Sequence, residues 1–284
     1  MTIAKITLHK FEVYGLRDGF FYLDGGAMFG TVPKVLWEKK CPADNKNRIK
    51  VGLNSILIDN KKDLILVETG IGSSFDQKFY EYYSIQREPG LIASLQKLGI
   101  EPEDIDIVIN THLHFDHCGG NTYCRKKGEF EPTFPRARYI IQKGEWKTAL
   151  HPNARDKASY LKQFFLPLKD YRLLELVEGN TSISEGVEVV LAPGHTAFHQ
   201  CVKVRSGEET LFFLGDMVPT SAHLGLPYIM SYDLFPLDTL KNKEKTLDQA
   251  VKEDWILAFN HDPQYYFGRV KKEKGKYFFH PLAE

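Results

Sequence analysis

The stretch "THLHFDHCGG", Thr111 to Gly120, puts three of the chain's ten histidines and one aspartate into a single hexapeptide. On an extended or tightly turned segment, His112 and His114 alternate onto one side, where both imidazoles can grip one ion. Asp116 and His117 can then face a second ion beside the first. Neutral imidazole and carboxylate suit zinc, iron or manganese, and a mixed set without cysteine points to a catalytic site rather than a closed structural one. A lone histidine is more often a satisfied core or surface residue than a ligand. Four donors in six residues, followed by Gly119 and Gly120, read instead as a metal-binding pattern. Two complete sites need further histidines and a carboxylate able to bridge; His195, His261 and Asp216 are available.

The segments around these residues say how they are held. "IDIVIN" runs into the hexapeptide, "VEVVLAPG" into His195, "TLFFLG" into Asp216 and "WILAFN" into His261. Strand ends fix loop residues rigidly and aim them at one crevice, so four apolar strands ending on donors predict one site. Further strands are expected in "ITLHKFEVYG", in "RARYIIQ", and in a hairpin of "GLNSILI" and "KDLILVETG". Helices are expected from about Ser73 in "SSFDQKFYEYYSI", in "PGLIASLQKLG", from about Glu145 to Leu150, in "ASYLKQFF", and in "LKNKEKTLDQAVKED". The tail "YYFGRVKKEKGKYFFHP" reads as a closing hairpin with a basic turn.

Composition narrows the function. The 284 residues balance 37 Lys+Arg against 37 Asp+Glu, so no overall field favours nucleic acid or anionic lipid. At 43% apolar and 13% aromatic residues there is ample material for a core. No linker or repeat interrupts the pattern, and one domain over residues 1–284 is expected. The four cysteines lack CxxC spacing, and the opening residues alternate like a strand rather than forming a signal peptide's apolar core. No segment is long and apolar enough to span a bilayer, so a reduced, cytoplasmic protein is expected.

"THLHFDHCGG" resembles the HxHxDH signature of the metallo-β-lactamase superfamily. The later elements resemble it too, in order: "PGHT" at His195, 78 residues after His117; "GD" at Asp216, 21 further on; and His261, 45 beyond that. "VETG" is similar to that family's early "DTG" turn, with Glu68 in place of aspartate. The resemblance implies a four-layer αββα sandwich, an α/β fold of two mixed sheets face to face with helices outside. It implies His112, His114 and His195 on one divalent ion, and Asp116, His117 and His261 on another, with Asp216 bridging. It also implies a hydroxide held between two cations, most simply zinc (iron, manganese or cobalt being alternatives), that attacks a metal-polarised carbonyl. Asp116 would orient that nucleophile and pass a proton to the leaving group.

The resemblance leads to a dinuclear hydrolase of a small ester, with a lactone of the acyl-homoserine type as the best guess. Lactonases of this superfamily often carry a tyrosine three residues past the bridging aspartate, where this chain has Pro219. Two alternatives follow: a glyoxalase II-like thioesterase, and, from another class, a persulfide dioxygenase using one iron. A homodimer is a further expectation. His199 reads as a buried structural histidine and Cys118 as a small core residue. His223 reads either as a pocket donor to substrate or as a loop histidine facing solvent. Two apolar loops, 19–37 and 223–238, either wall a hydrophobic pocket or pack in the core or a dimer contact.

Overall fold

Period-two alternation of apolar side chains decides the architecture, because a strand sends successive residues to opposite faces. In the computed structural model, which describes residues 3–282, fourteen strands form two seven-stranded sheets. The first holds, in spatial and chain order, Ala4–Leu8, Phe11–Asp24, Arg48–Asp59, Leu64–Val67, Ile107–Ile109, Arg138–Gln142 and Leu174–Val177. The second holds Thr181–Ser184, Val187–Leu191, Gln200–Ser206, Glu209–Phe213, Ile256–Ala258, Phe267–Glu273 and Lys276–Pro281. A two-stranded ribbon, Thr122–Lys126 with Glu129–Pro132, stands apart from both. Each large sheet is mixed: antiparallel pairs such as Arg48–Asp59 with Leu64–Val67 sit beside parallel ones such as Leu64–Val67 with Ile107–Ile109 and Glu209–Phe213 with Ile256–Ala258. Parallel neighbours need a crossover, supplied by helices such as Leu91–Gln96 and Pro236–Lys252.

Three buried clusters mark the layers. Ile65, Val67, Ile107 and Ile109 of the first sheet meet Val202, Val204, Leu211 and Phe213 of the second in one shared core. The residues between them point outward. Leu66 and Val108 join Leu91, Leu95, Trp146 and Ala149 on the helical side of the first sheet. Cys201 and Phe212 join Leu247 and Ala250 on the helical side of the second. Each fully buried aliphatic or aromatic side chain contributes roughly 1.5–3 kcal/mol, so the sandwich rests on both faces of both sheets. This is the αββα arrangement that the resemblance implied.

Several local expectations need correction. The helix placed from Ser73 begins at Gln77, because the Asp76 side chain, rather than a serine, accepts from Phe79 N at 2.8 Å and caps it. "ASYLKQFF" yields only the single 3₁₀ turn Lys162–Phe164, since Phe164 and Phe165 are drawn into the core and override helical periodicity. The loop read over 19–37 starts as the end of the long strand Phe11–Asp24, then makes two short helices, Gly25–Phe29 and Lys34–Trp37. The loop read over 223–238 begins in the turn Ser221–Leu224 and passes into the helix Pro236–Lys252. Among the described residues, no helix is long and apolar enough to cross a membrane.

Candidate metal centre

The strand Ile107–Ile109 ends at Asn110, and the chain turns through Thr111–His114 into the short helix Phe115–Cys118. The neighbouring strand Leu64–Val67 ends in the turn Glu68–Gly72, and the two turns are stitched together. Thr69 N donates to His117 O at 2.9 Å, and Thr69 Oγ1 donates to Asn121, whose amide reaches Asn110. A Cβ on Gly120 would sit 2.2 Å from Thr69 O, and one on Gly119 would sit 2.3 Å from Ile71 O. Only glycine lets the two backbones come this close. That contact accounts for "GG" after the hexapeptide.

Four histidines and two aspartates from the four strand ends converge with His112 in one buried cluster. Ligand atoms of His112, His114 and His195 lie within 4.8 Å of one another, and so do those of Asp116, His117 and His261. Asp216 stands between the triads. Its Oδ1 lies 3.2 Å from His261 Nε2 and 3.5 Å from His117 Nε2, while Oδ2 lies 3.3 Å from His195 Nε2. His112, His117 and Asp216 form a third such group, so the seven residues that the resemblance implied lie together in one cluster.

Whether a cation fits can be judged from the protons. His261 Nδ1 lies 2.8 Å from the Gly52 carbonyl, which can only accept, so the neutral ring carries its proton there. The lone pair on Nε2 then points at Asp216 Oδ1 and at His117 Nε2, 3.3 Å away. His195 repeats the arrangement: Nδ1 meets Asp233 Oδ1 at 2.9 Å, leaving Nε2 facing Asp216 and His114 Nδ1. His112 Nδ1 pairs with Thr111 Oγ1 at 2.9 Å, and its buried Nε2 has no hydrogen-bond partner. Converging lone pairs and carboxylates fit divalent ions. Burial, then the neighbouring imidazoles, drives His112 and His114 well below the usual histidine pKa, into the neutral form that binds metal.

Supporting residues hold the donors in place. Glu68 has a left-handed backbone (φ 66°) and is fully buried; its Oε1 accepts from Thr111 N at 2.7 Å, and Oε2 lies 3.6 Å from His117 Nδ1. The longer side chain therefore still reaches the ligand loop. His199 is buried and accepts from Asp216 N at 3.1 Å. Burial, with the charge of His195 next, lowers its pKa to about 3, which keeps it neutral for that role.

Sequence reasoning missed three carboxylates. Glu145 Oε1 accepts from Leu113 N and Tyr160 Oη, and Oε2 from Thr196 Oγ1, tying the hexapeptide to the loop of His195. Asp18 accepts from Ile71 N, Gly72 N and Leu91 N and organises the Glu68–Gly72 turn. Asp233 orients His195. None stands in a motif, and each lies far in sequence from what it holds, so no spacing could signal it.

Removing such a partner typically costs 10–100-fold in metal affinity. Asp233→Ala is therefore expected to weaken metal binding by about 10-fold or more, with Asp233→Asn milder because its amide oxygen still accepts. Competition with a chromophoric chelator measures this. Unchanged affinity in the alanine variant would remove Asp233 from the role.

Over the cluster lies a cavity of about 180 Å³, lined by His114, Asp116, His195, Asp216 and His261. Phe21, Leu23, Met28, Tyr83, Phe115, Met230, Tyr232 and Leu234 give it apolar walls, with Arg155, Asp156, Ser159 and Ser231 among them. Both apolar segments thus reach the cavity. They also pack on one another: Ser231 N donates to Ala27 O at 2.8 Å, and the carbonyl of Ile229 crowds Gly30. The buried Lys243 ammonium ties the second segment down through the Gly225 and Tyr228 carbonyls, at 2.7 and 2.8 Å. A larger cleft of about 400 Å³, beside Gly72 and Gly120, contains none of the donors.

His223 fits neither expectation. It is 0% exposed, pairs with Thr220 Oγ1 at 2.8 Å and the Met28 carbonyl at 2.9 Å, and stacks on Phe29 at 4.4 Å. Both ring nitrogens are engaged, so it holds the two wall segments together and contacts neither cavity nor solvent. Cys118 is a buried core thiol, as expected. Pro219 leaves its stretch without a phenol, but Tyr83 and Tyr232 on the cavity wall carry one each.

A family model described as the metallo-beta-lactamase superfamily matches residues 50–261. An N-acyl homoserine lactonase from a Bacillus species is 28% identical over 232 residues, covering 77% of this chain and 82% of its own. The solved structure of a probable metal-dependent hydrolase from Staphylococcus aureus superposes with a TM-score of 0.89 at 28% identity, covering 98% of this chain and 100% of that one. AidC, described as a dizinc quorum-quenching lactonase in complex with a product, superposes with a TM-score of 0.80 at 24% identity, covering 99% and 98%.

Proposed function

The chain belongs to the metallo-β-lactamase superfamily and is a metal-dependent hydrolase, and from that premise we propose that it opens the ring of an N-acyl homoserine lactone. The observation that carries this reading is the complete seven-donor cluster lying under a small, mostly apolar cavity. The relatives named as N-acyl homoserine lactonases support the substrate class. Two divalent ions, most simply zinc, would be held by His112, His114 and His195 and by Asp116, His117 and His261, and would supply Lewis acidity and an acidified water.

The protein's own groups do the rest. Asp216, with one oxygen toward each triad, would offset the charge of the cations held there. Burial pushes its carboxyl up, but in the metal-free cluster protonated His117, His261 and His195 outweigh that and hold it well below the usual range; bound cations would keep it ionised in their place. Asp116 turns Oδ2 toward His261 and His117 and faces the cavity, where it can take a proton from the nucleophile and return it to the leaving oxygen. Tyr83 lies on the same wall; burial, with Asp116 next, raises its pKa to about 12, so it keeps its proton and can donate to an oxygen of the opening ring. The apolar walls would take the acyl chain.

A glyoxalase II-like thioesterase is the weaker reading, because the relatives that support a substrate class are named as N-acyl homoserine lactonases. The single-iron dioxygenase is weaker still, since it uses only part of the donor set.

The test is ring opening of short- and long-chain N-acyl homoserine lactones by metal-replete protein, followed by proton release. A kcat/KM of about 10⁴ M⁻¹s⁻¹ or more that a chelator abolishes is expected. Inactivity on both lactones in protein shown to hold two metals per chain would overturn the reading.

A further inference from the structure

Asp156 lines the same cavity, yet the hydrolytic scheme gives it no task. It is 6% exposed, and neither carboxylate oxygen has a hydrogen-bond partner. Buried carboxylates are normally satisfied, because an unpaired one keeps its full desolvation cost. It is also absent from the groups able to hold a metal.

Its nearest polar groups are the Asn153 amide and the loop's own backbone, none of them in hydrogen-bond geometry with the carboxylate, and the loop's bonds run without it. Asn153 Oδ1 accepts from Arg155 N at 2.8 Å, Lys157 N bonds to Asn153 O, and Ser159 N bonds to Asp156 O. Ser159 O in turn accepts from Phe115 N at 2.9 Å, docking the loop onto the hexapeptide. The adjacent guanidinium of Arg155 turns instead to the Ser231 carbonyl. The carboxylate is therefore fixed beside the candidate metal centre by a backbone that does not need it.

We propose that Asp156 is a specificity residue that accepts a hydrogen bond from an N–H on the substrate, so that the site selects esters and lactones bearing a secondary amide beside the reacting carbonyl. The inference rests on the lactonase reading and deepens it. An ionised carboxylate only accepts, so its partner must be a donor. Arg155 and the proposed cations already supply positive charge nearby, which favours a neutral N–H over an ammonium group. The same cavity is lined by apolar residues as well, which suits an acyl chain attached to the amide. A buried acceptor without a substrate donor is left unpaired, the arrangement that gives strong discrimination against analogues lacking the donor.

The experiment is titration calorimetry of the metal-loaded full chain with a 2-acylaminocyclopentanone, which cannot be hydrolysed, and with its twin carrying CH₂ in place of N–H. Wild type is expected to bind the N–H ligand about 10-fold tighter or more, the usual worth of a hydrogen bond to a charged group. In Asp156→Leu that ratio should fall to within about twofold, and in Asp156→Asn, which keeps shape and one acceptor, it should be intermediate. Neither variant should melt below wild type, since an unpaired buried carboxylate costs stability. Equal affinities in wild type, a ratio retained in both variants, or no binding of either ligand would overturn the proposal. Lactone hydrolysis measured in parallel separates the readings. Turnover without N–H discrimination sinks only the role of Asp156, and discrimination without turnover sinks only the lactonase.

Discussion

Replacing Asp116 by asparagine is expected to lower kcat/KM by about 10³-fold, because it removes a proton acceptor and a charged donor together. The two side chains have nearly the same volume, and Asp116 sits in the short helix Phe115–Cys118, whose backbone bonds do not involve its carboxylate. Packing around Phe115 and Cys118 should persist, and the melting temperature of the metal-replete variant should stay within a few degrees of wild type. The asparagine still offers an amide oxygen to a cation, so metal content must be measured on the same sample. Near wild-type turnover in a variant with full metal would show that Asp116 does not carry the proton. Full loss with one metal missing would make it a ligand first and a proton carrier second.

Stripping the metals should cost both activity and stability. Ligands that bind the native state stabilise it by RT ln(1 + [L]/Kd), about 4 kcal/mol at a thousandfold excess over Kd. For a chain of 284 residues each kcal/mol moves the melting temperature by about 2–4 °C, so chelation should lower it by about 10 °C. The physical reason lies in the cluster. The lone pair of His261 Nε2 faces Asp216 Oδ1 at 3.2 Å, and that of His195 Nε2 faces Oδ2 at 3.3 Å. Without cations these contacts are repulsive or must recruit protons into a buried site. Differential scanning calorimetry before and after chelation, with re-addition of zinc, measures the effect. An unchanged melting temperature would mean that the fold does not depend on metal at this cluster.

Much of the site was legible in the sequence, and the reason is local. A hexapeptide with four donors is a short-range pattern, and each remaining donor follows an apolar strand whose periodicity can be read. The αββα layering follows from the same alternation, since Ile107 and Ile109 can enter the sheet–sheet core only if Val108 faces the helices. Legibility stopped where local preference competed with burial. The aromatic run Phe164–Phe165 has helical spacing but takes core positions that permit one turn. His223 shows the converse: seven residues past a donor, it reads equally as a pocket donor or a solvent-facing loop histidine, yet two partners distant in sequence, Met28 O and the Phe29 ring, hold it in the core.

The sequence by itself determined the donor types, their order and the strands that end on them, because metal affinity depends on side-chain chemistry and strand formation on alternation. Tertiary structure alone decided which imidazole nitrogen faces the centre. That choice belongs to the Gly52 carbonyl and to Asp233, residues 209 and 38 positions from the histidines they orient. It also decided which polar groups reach the cavity unsatisfied, Asp156 foremost. A hydrogen-bond partner is a matter of a few tenths of an ångström in three dimensions, and no periodicity along the chain encodes that distance.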